Sequence, residues 1–236
     1  MRSRSLKAFA VMAAVAAIGT AGVSTADAAS QAAPRAVTQA APFAAQVREA
    51  GLNTTQAAAL QSKVDQILHQ YSGAKQVAAN ELALPHGASV LLPLPGQKYA
   101  RVLPGAVNLG FAPATGATSG VRPANTGSGT PNTGVWFFTL NGVRQPGPGC
   151  GYEYFCMWQG QTGAGEQFNV STCNEDQELP GSGWNSDGSW INNQTAGTDA
   201  FLLNSSKSVI YTTPPPVFWN SDYNWAPVWY ADACNH

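Results

Sequence analysis

The sequence predicts an all-β C-terminal domain braced by two disulfides, with a small helix-strand-strand unit before it. All four cysteines and six of the seven tryptophans lie within residues 150–236. The same block consists of short apolar runs separated by Gly, Pro, Asn and Ser turns, a spacing typical of a β-sandwich. Aromatic residues favour strands, and cysteine pairs stabilise small exported domains.

Residues 1–28 have the pattern of a secretory signal peptide. Three basic residues precede an uncharged apolar run over residues 8–23, and Ala26-Asp27-Ala28 offers small residues for cleavage. The run is short for a membrane span, so an N-terminal anchor is the lesser alternative. Cleavage removes three bases and one acid, which leaves 9 basic and 12 acidic residues. We therefore expect a secreted protein.

Composition divides the rest of the chain into four segments. The first is rich in Ala, Gln and Pro, which predicts a flexible mature N-terminus. The third is rich in Gly, Pro, Thr and Asn, which predicts a linker. In order, the segments are a flexible N-terminus over 29–48, a helix and β-hairpin unit over 49–97, a linker over 98–148, and the disulfide-braced β domain over 149–236.

The unit over 49–97 begins with a helix. Asn53 or Thr54 is placed to cap it, and Gln56 stands near the capping-box position. Four apolar residues then recur on one helical face: Leu60, Val64, Ile67 and Leu68. Two β-like runs follow, over 76–84 and 88–94, with a turn between them. About 45 residues make a small independent core, so the unit is expected to lean on the C-terminal domain or to be only partly stable.

Short strands are predicted throughout the C-terminal block. Residues 152–158 and 166–172 form a hairpin, and four further runs have strand character: 189–192, 199–203, 208–212 and 227–230. Within the linker, Val135-Trp136-Phe137-Phe138 and the turn Asn141-Gly142 predict one more strand and turn.

The disulfide pairing is left open by the sequence. Four cysteines permit three pairings. Cys156 can face Cys173 across the predicted hairpin, which leaves Cys150 to pair with Cys234. The alternative is a short Cys150–Cys156 loop together with Cys173–Cys234. Zinc is disfavoured because Cys-x5-Cys has the wrong spacing.

One stretch of the block resembles a known family. Tyr154-Phe155-Cys156-Met157-Trp158, followed by Gly163 and Gly165, resembles the opening hairpin of a βγ-crystallin Greek key, in which a glycine follows an aromatic residue after seven positions. Residues 183–193 lie where that motif places its serine-bearing third strand, and residues 199–211 resemble the start of a second, degenerate key. The Cys-x5-Cys start with Phe-Cys-x-Trp is similar to the secreted crystallin-like peptidase inhibitors.

The resemblance implies a βγ-crystallin-like Greek-key sandwich and a non-enzymatic inhibitor of an extracellular peptidase, of the metalloproteinase type. We expect a monomer without a cofactor. An inhibitor needs a stiff exposed loop, and preorganisation lowers the cost of binding. The candidate loop consists of Gln159, Gly160, Gln161, Thr162, Gly163, Ala164 and Gly165, with residues 174–187 as the other choice.

Charge and motifs argue against several other classes of protein. Residues 150–236 carry nine carboxylates and one lysine, too acidic to neutralise nucleic-acid phosphates. The three histidines, His69, His86 and His236, stand near no nucleophile motif. Residues 185–190 match the calcium signature of crystallins only in part, so no metal site is predicted. Several acidic residues nevertheless leave a small secreted hydrolase as a third hypothesis: Glu166, Glu175, Asp176, Glu178 and Asp187.

The second hypothesis is an extracellular carbohydrate- or cell-wall-binding module. Trp219, Tyr223, Trp225 and Trp229 lie close together in the sequence and offer rings that stack on sugars. The competing interpretation is that these rings pack in the core, as large aromatic residues of small folds do.

Overall fold

The computed structural model describes residues 43–107, 109–111, 137–140, 143–146, 149–216 and 218–235. The predicted signal peptide lies outside them. The described elements are, in chain order, α1 Ala44–Glu49, α2 Thr54–Gln70, β1 Lys75–Ala78, β2 Glu81–Ala83, β3 Ser89–Leu91, β4 Phe137–Leu140, β5 Val143–Pro146, β6 Tyr154–Trp158, β7 Gln167–Val170, β8 Gln177–Glu178, β9 Asp187–Asn193, β10 Phe201–Leu203, β11 Val209–Thr212, β12 Phe218–Asn224 and β13 Tyr230–Asp232. They belong to one compact unit, Ala40–His236.

Helix α2 begins at the predicted capping box. The Gln56 N–H donates to Asn53 Oδ1 at 2.9 Å, and the Asn53 N–H donates to Gln56 Oε1 at 3.0 Å. These bonds satisfy two amide donors that the first helical turn leaves without partners. The predicted apolar face is buried at Leu60, Val64 and Ile67, which share one core with both large sheets.

Replacing Asn53 with Ala is expected to lower the free energy of unfolding by about 1 kcal/mol, because it removes the cap. Urea unfolding measures the change. Thr55→Ala, at an exposed position of the same helical turn, is the control and should shift stability by less than about 0.5 kcal/mol. Equal midpoints for the two variants would contradict the role of the cap.

The end of the segment predicted to be flexible, residues 29–48, is ordered into helix α1. Gln46 ties this helix to the fold, because its Nε2 donates to the Pro104 carbonyl at 3.1 Å and its Oε1 accepts from the Ala79 N–H at 2.8 Å. Phe43 also packs against the core. The prediction is therefore wrong for residues 44–48, where one glutamine side chain and long-range packing fix the helix.

The larger sheet has seven strands in the order β1-β2-β3-β7-β6-β9-β12, and every neighbouring pair is antiparallel. The pairing of β3 with β7 places Ser89 opposite Asn169 and Leu91 opposite Gln167. The strands of segment 49–97 thus continue the sheet of segment 149–236, and the small unit gains a partner for its edge.

The run predicted as one strand over 76–84 forms two strands, β1 and β2. The chain turns between them at Asn80, which is fully buried. Asn80 Nδ2 donates to the carbonyls of Leu92 at 2.8 Å and of Arg101 at 3.0 Å. This side chain satisfies backbone carbonyls that are distant in the sequence. The residues around Asn80 therefore do not indicate that the chain turns between β1 and β2.

The smaller sheet has four strands in the order β11-β10-β13-β8. The two sheets exchange strands: β8 follows the β6–β7 hairpin yet pairs with β13, and β12 follows the β10–β11 hairpin yet pairs with β9. The last strand lies at Tyr230–Asp232, later than the predicted 227–230. Trp225 and Val228 are buried there in a turn that the Val228 N–H closes on the Trp225 carbonyl at 2.8 Å.

The main core lies on one face of the seven-stranded sheet. Met157, Phe168 and Trp190 are fully buried on that face, and Leu202 of the smaller sheet joins the same cluster. Residues alternate between the two faces of a strand, so Cys156, Trp158 and Ile191 form a second cluster on the outer face. Both faces of the larger sheet therefore carry buried apolar residues.

Part of the predicted linker, over residues 98–107 and 109–111, covers the outer face. Ala100 and Phe111 pack on Leu91, and the Gly151 N–H donates to the Gly110 carbonyl at 2.6 Å. The linker prediction is wrong for this stretch, because scattered apolar residues bury themselves on a sheet that the local sequence does not reveal. A strand is present at Phe137–Leu140, where β4 pairs with β5. The start of the predicted strand, at 135–136, and the predicted turn at 141–142 lie outside the described residues.

The disulfides are Cys150–Cys156 and Cys173–Cys234, with sequence separations of 6 and 61. The pairing of Cys156 with Cys173 across the hairpin is therefore wrong, and the alternative pairing is the one present. Cys156 points to the outer face, where it meets Cys150. Cys173 belongs to the main core, so the two cysteines of the hairpin face opposite sides of the sheet.

Candidate functional site

The loop between β6 and β7, residues 159–165, holds all seven residues of the predicted inhibitory loop. The loop folds back on itself, and the Gly160 N–H donates to the Ala164 carbonyl at 2.8 Å. Gly165 has a φ of 81°, in the left-handed region that glycine enters without a steric penalty. This geometry gives a physical reason for the glycine seven residues after Trp158.

Two serines hold this loop onto the sheet. Ser189 Oγ of β9 accepts from the Gly163 N–H at 2.8 Å and donates to the Gly160 carbonyl at 2.9 Å. Ser186 Oγ donates to the Gln159 carbonyl at 2.9 Å. Ser189 lies on β9, the fourth strand counted from β6 in chain order, because the two-residue strand β8 lies between β7 and β9.

Contacts from two other segments complete the restraint. Gln161 Nε2 donates to Asp222 Oδ1 at 2.6 Å, and the Gly165 N–H donates to the Lys98 carbonyl at 2.8 Å. Gly163 is buried, whereas the side chains of Gln159 and Gln161 are exposed. The loop is therefore preorganised, but it presents mainly two glutamine side chains to a partner.

The other predicted inhibitory segment, residues 174–187, does not form one exposed loop. It contains strand β8, and both Leu179 and Trp184 are buried. Its three consecutive exposed residues are at 185–187. This segment mainly carries the chain from one sheet to the other.

The turn between β10 and β11 is a second stiff feature of the surface. Asn204 Oδ1 accepts from the N–H groups of Ser206 at 2.9 Å and Ser208 at 3.0 Å. Lys207 holds the tip of the turn through an ion pair with Asp176, in which Nζ and Oδ2 are 3.2 Å apart. Lys207 Nζ also lies 5.0 Å from the centre of the Tyr230 ring.

Strand β11 follows this turn and forms one edge of the smaller sheet. Among the described residues it pairs with β10 alone. Val209 and Ile210 are 40% and 39% exposed, although an exposed edge strand is usually protected by charges or proline. Tyr211 points inward, with its ring 6.0 Å from that of Trp190. Strand β11 is therefore held in place by Tyr211, which packs in the core, and it exposes two apolar side chains.

The four aromatic residues proposed as a sugar platform do not share one surface. Trp225 is fully buried, and its Nε1 donates to the Trp158 carbonyl at 2.8 Å. Tyr223 packs against Trp225, whereas Trp219 packs on the outer-face cluster. Trp229 is 42% exposed. Packing places these four aromatic residues on different sides of the sheet, so the prediction of a sugar platform is wrong.

A polar cleft of about 500 Å³ lies beside the Cys173–Cys234 disulfide. The residues that line it include Glu153, Gln194, Asp199 and Phe201. Amides and carboxylates beside an aromatic ring suit hydroxyl-rich ligands, because each hydroxyl both donates and accepts hydrogen bonds.

His69, His86 and the segment that resembles the crystallin calcium signature take structural positions, and His236 lies outside the described residues. His69 is exposed on α2, and His86 Nδ1 lies 3.3 Å from Glu175 Oε1. Within the described ranges, no three His, Cys, Asp or Glu residues are grouped to hold a metal ion. In the calcium-like stretch, Ser189 is engaged by the folded loop.

Two carboxyl groups are buried, which the sequence did not indicate. Glu81 was not among the predicted site residues, and Glu166 was named only as one of several acidic residues of a possible hydrolase. Burial raises the pKa of Glu81 to about 7, and the nearby backbone N–H of Leu109 opposes this rise. Neither carboxyl oxygen of Glu81 has a hydrogen-bond partner in the part of the chain that the structure describes. Burial also raises the pKa of Glu166 to about 7, opposed by the charge of Lys63. The only sequence signal is their place in β-rich segments, which does not reveal that both faces of the sheet are covered.

Comparison of the chain with protein-family models, curated proteins and solved structures gave no match. None of the helices in the described ranges has the length and apolar character that crossing a membrane requires. The two disulfides are compatible with an oxidising compartment outside the cell.

Proposed function

We propose that the protein is a secreted, non-enzymatic inhibitor of an extracellular peptidase, built on two βγ-crystallin-like Greek keys. Strand order supports this fold: β9 returns to lie beside β6, and β13 returns to lie beside β10, as the fourth strand of a Greek key lies beside the first. The hydrogen bonds of Ser189 to the folded loop agree with the serine-bearing strand that the resemblance implies.

The observation that carries the function is the apolar edge strand β11. A sheet edge can pair with another chain through its backbone groups, and its side chains then fill the partner's pockets. Val209 and Ile210 offer two apolar side chains for such pockets. The Asn204 turn and the Lys207–Asp176 ion pair hold one end of the strand in place.

Rigidity explains why such a strand would inhibit rather than act as a substrate. A preorganised segment loses little conformational entropy on binding, so it binds more tightly than a flexible peptide of the same sequence. If the peptidase cuts one bond, pairing with β10 holds both new ends near the active site. The cleaved product therefore leaves slowly.

Titration of a metalloproteinase such as thermolysin with the purified mature protein tests the function. We expect stoichiometric loss of activity towards a short peptide substrate. Serine and cysteine peptidases, assayed in parallel, define the class of target. Undiminished activity of every peptidase at a large molar excess of the protein would refute the proposal.

Two matched lysine substitutions locate the contact surface. Ile210→Lys on β11 should weaken inhibition at least about tenfold, which corresponds to about 1.4 kcal/mol. Gln161→Lys places the same charge on the predicted loop, at an exposed residue, and should leave inhibition within about threefold of wild type on the same energy scale. The opposite ranking would move the contact surface to residues 159–165.

The polar cleft beside Cys173–Cys234 favours carbohydrate binding as a second candidate function. Pull-down on insoluble chitin, cellulose and peptidoglycan tests it. Asp199→Asn and Gln194→Ala, which change two lining residues, should reduce retention. Retention that is unchanged in both variants would exclude the cleft as the glycan site.

A further inference from the structure

We propose that Lys63 and Glu166, with the cavities on either side of them, form a binding site for a free α-amino acid with an apolar side chain. Lys63 lies on α2, and Glu166 lies between the folded loop and β7. One cavity of about 340 Å³ and a second of about 480 Å³ are each lined by both residues. The proposal is independent of peptidase inhibition.

Glu166 supplies an acceptor that the protein leaves without a donor. The residue is 7% exposed, and its Oε1 has no hydrogen-bond partner among the described groups. A buried polar atom without a partner is costly, and a charged donor compensates a buried carboxylate best. The ammonium group of an amino acid is such a donor.

Lys63 supplies the opposite charge at the mouth of the same site. Its side chain is exposed, and its positive charge acts on Glu166. Among the described residues, no ion pair joins the two groups. Each is therefore available to a ligand that carries both charges on groups attached to one carbon atom, as the ammonium and carboxylate groups of an α-amino acid are.

The smaller cavity supplies an apolar wall for the side chain of the ligand. Leu60, Leu92 and Leu94 line it and are themselves buried, and Pro93 and Pro95 complete the wall. An apolar side chain of leucine size gains roughly 1.5–3 kcal/mol when it is fully buried. A site with this wall selects against glycine and against charged amino acids.

The pair of charges decides between ligand classes. A simple amine would bind Glu166 but meet the like charge of Lys63. A simple carboxylic acid would bind Lys63 but leave Glu166 Oε1 without a donor. Like charges repel and opposite charges attract across a few ångströms, so the zwitterion alone satisfies both residues.

Calorimetric titration of the full mature protein with leucine tests the proposal, with three analogues that each lack one recognised group. Leucinamide lacks the carboxylate, 4-methylpentanoate lacks the amine, and glycine lacks the side chain. We expect leucine to bind at least about tenfold more tightly than each analogue. No binding of leucine at millimolar concentration, or equal binding of any analogue, would overturn the proposal.

Variants at the two charges give the second test. Glu166→Gln and Lys63→Met should each weaken leucine binding at least about tenfold, whereas Lys75→Met, on strand β1 and outside both cavities, should not. Heat-induced unfolding checks that each variant is folded. Leucine affinity that is unchanged in folded Glu166→Gln or Lys63→Met protein would also overturn the proposal.

Discussion

Raising the pH from 5 to 8 should lower the free energy of unfolding by several kcal/mol, and the double variant Glu81→Gln/Glu166→Gln should lose most of this dependence. Both carboxyls have a folded-state pKa of about 7, against an ordinary value of 4.5. Each shift corresponds to about 3 kcal/mol. Glu81 is completely buried and Glu166 nearly so, which makes desolvation the common cause.

The direction in which stability changes with pH follows from proton linkage. Below pH 4.5 both carboxyls are protonated in the folded and the unfolded chain, so they add no pH dependence. Between about 4.5 and about 7 the unfolded chain loses these protons while the folded chain keeps them. The folded state therefore binds more protons, and stability falls as the pH rises through this window.

Charged and polar groups near the two carboxyls make the rise of their pKa values smaller. Lys63 favours the ionised form of Glu166, and the backbone N–H of Leu109 favours the ionised form of Glu81. Tyr71 also interacts with Glu166, and burial keeps Tyr71 neutral by raising its pKa. None of these groups changes the direction of the shift.

Urea unfolding at pH 5 and pH 8 measures this prediction. Glu81→Gln alone should remove about 3 kcal/mol of the difference between the two pH values. Glu49→Gln, at an exposed residue of α1, is the matched control and should retain the wild-type difference. A pH profile that stays the same in Glu81→Gln would show that this carboxyl is solvated in the folded state.

Replacing both Cys173 and Cys234 with Ser should cost roughly 4 kcal/mol, about twice the cost of removing Cys150–Cys156. The separations of 61 and 6 residues explain the ratio, because a longer closed loop restricts the unfolded chain more. Cys173–Cys234 also ties the start of the crossover to β8 to the end of β13, beside the bond from the Asn174 N–H to the Cys234 carbonyl at 3.0 Å.

Chemical unfolding of the two double-Ser variants under non-reducing conditions measures these costs. Each variant keeps the other disulfide, so each serves as the control for its partner. A larger loss from Cys150→Ser/Cys156→Ser would mean that native packing, rather than the entropy of the unfolded chain, dominates the contribution of the disulfides.

Local elements of the fold could be predicted from the sequence. The Asn53 and Gln56 capping box lies within one helical turn, and the hairpin of β6 and β7 carries its own glycine at position 165. The disulfide-braced, mostly β character of the C-terminal block also followed from where its cysteines and tryptophans lie. All of these signals act over a few residues, so a single sequence contains them.

Long-range neighbours could not be predicted. Nothing near Ser89 indicates that β3 pairs with β7, and nothing near Cys156 shows which face of the sheet it occupies. The candidate residues Lys63 and Glu166 lie about a hundred positions apart in the sequence, where charge alone suggests a solvated surface. Only the fold brings them together, as lining residues of the same two cavities.

The exchange of β8 and β12 between the sheets has a consequence for biogenesis. Strand β8 lacks its pairing partner until β13 has been synthesised, so the four-stranded sheet cannot be completed on the ribosome before the final strand has emerged. If the protein is secreted, as proposed, the chain reaches the export machinery before this sheet is complete. Disulfide formation between Cys173 and Cys234 would then lock the chain after translocation.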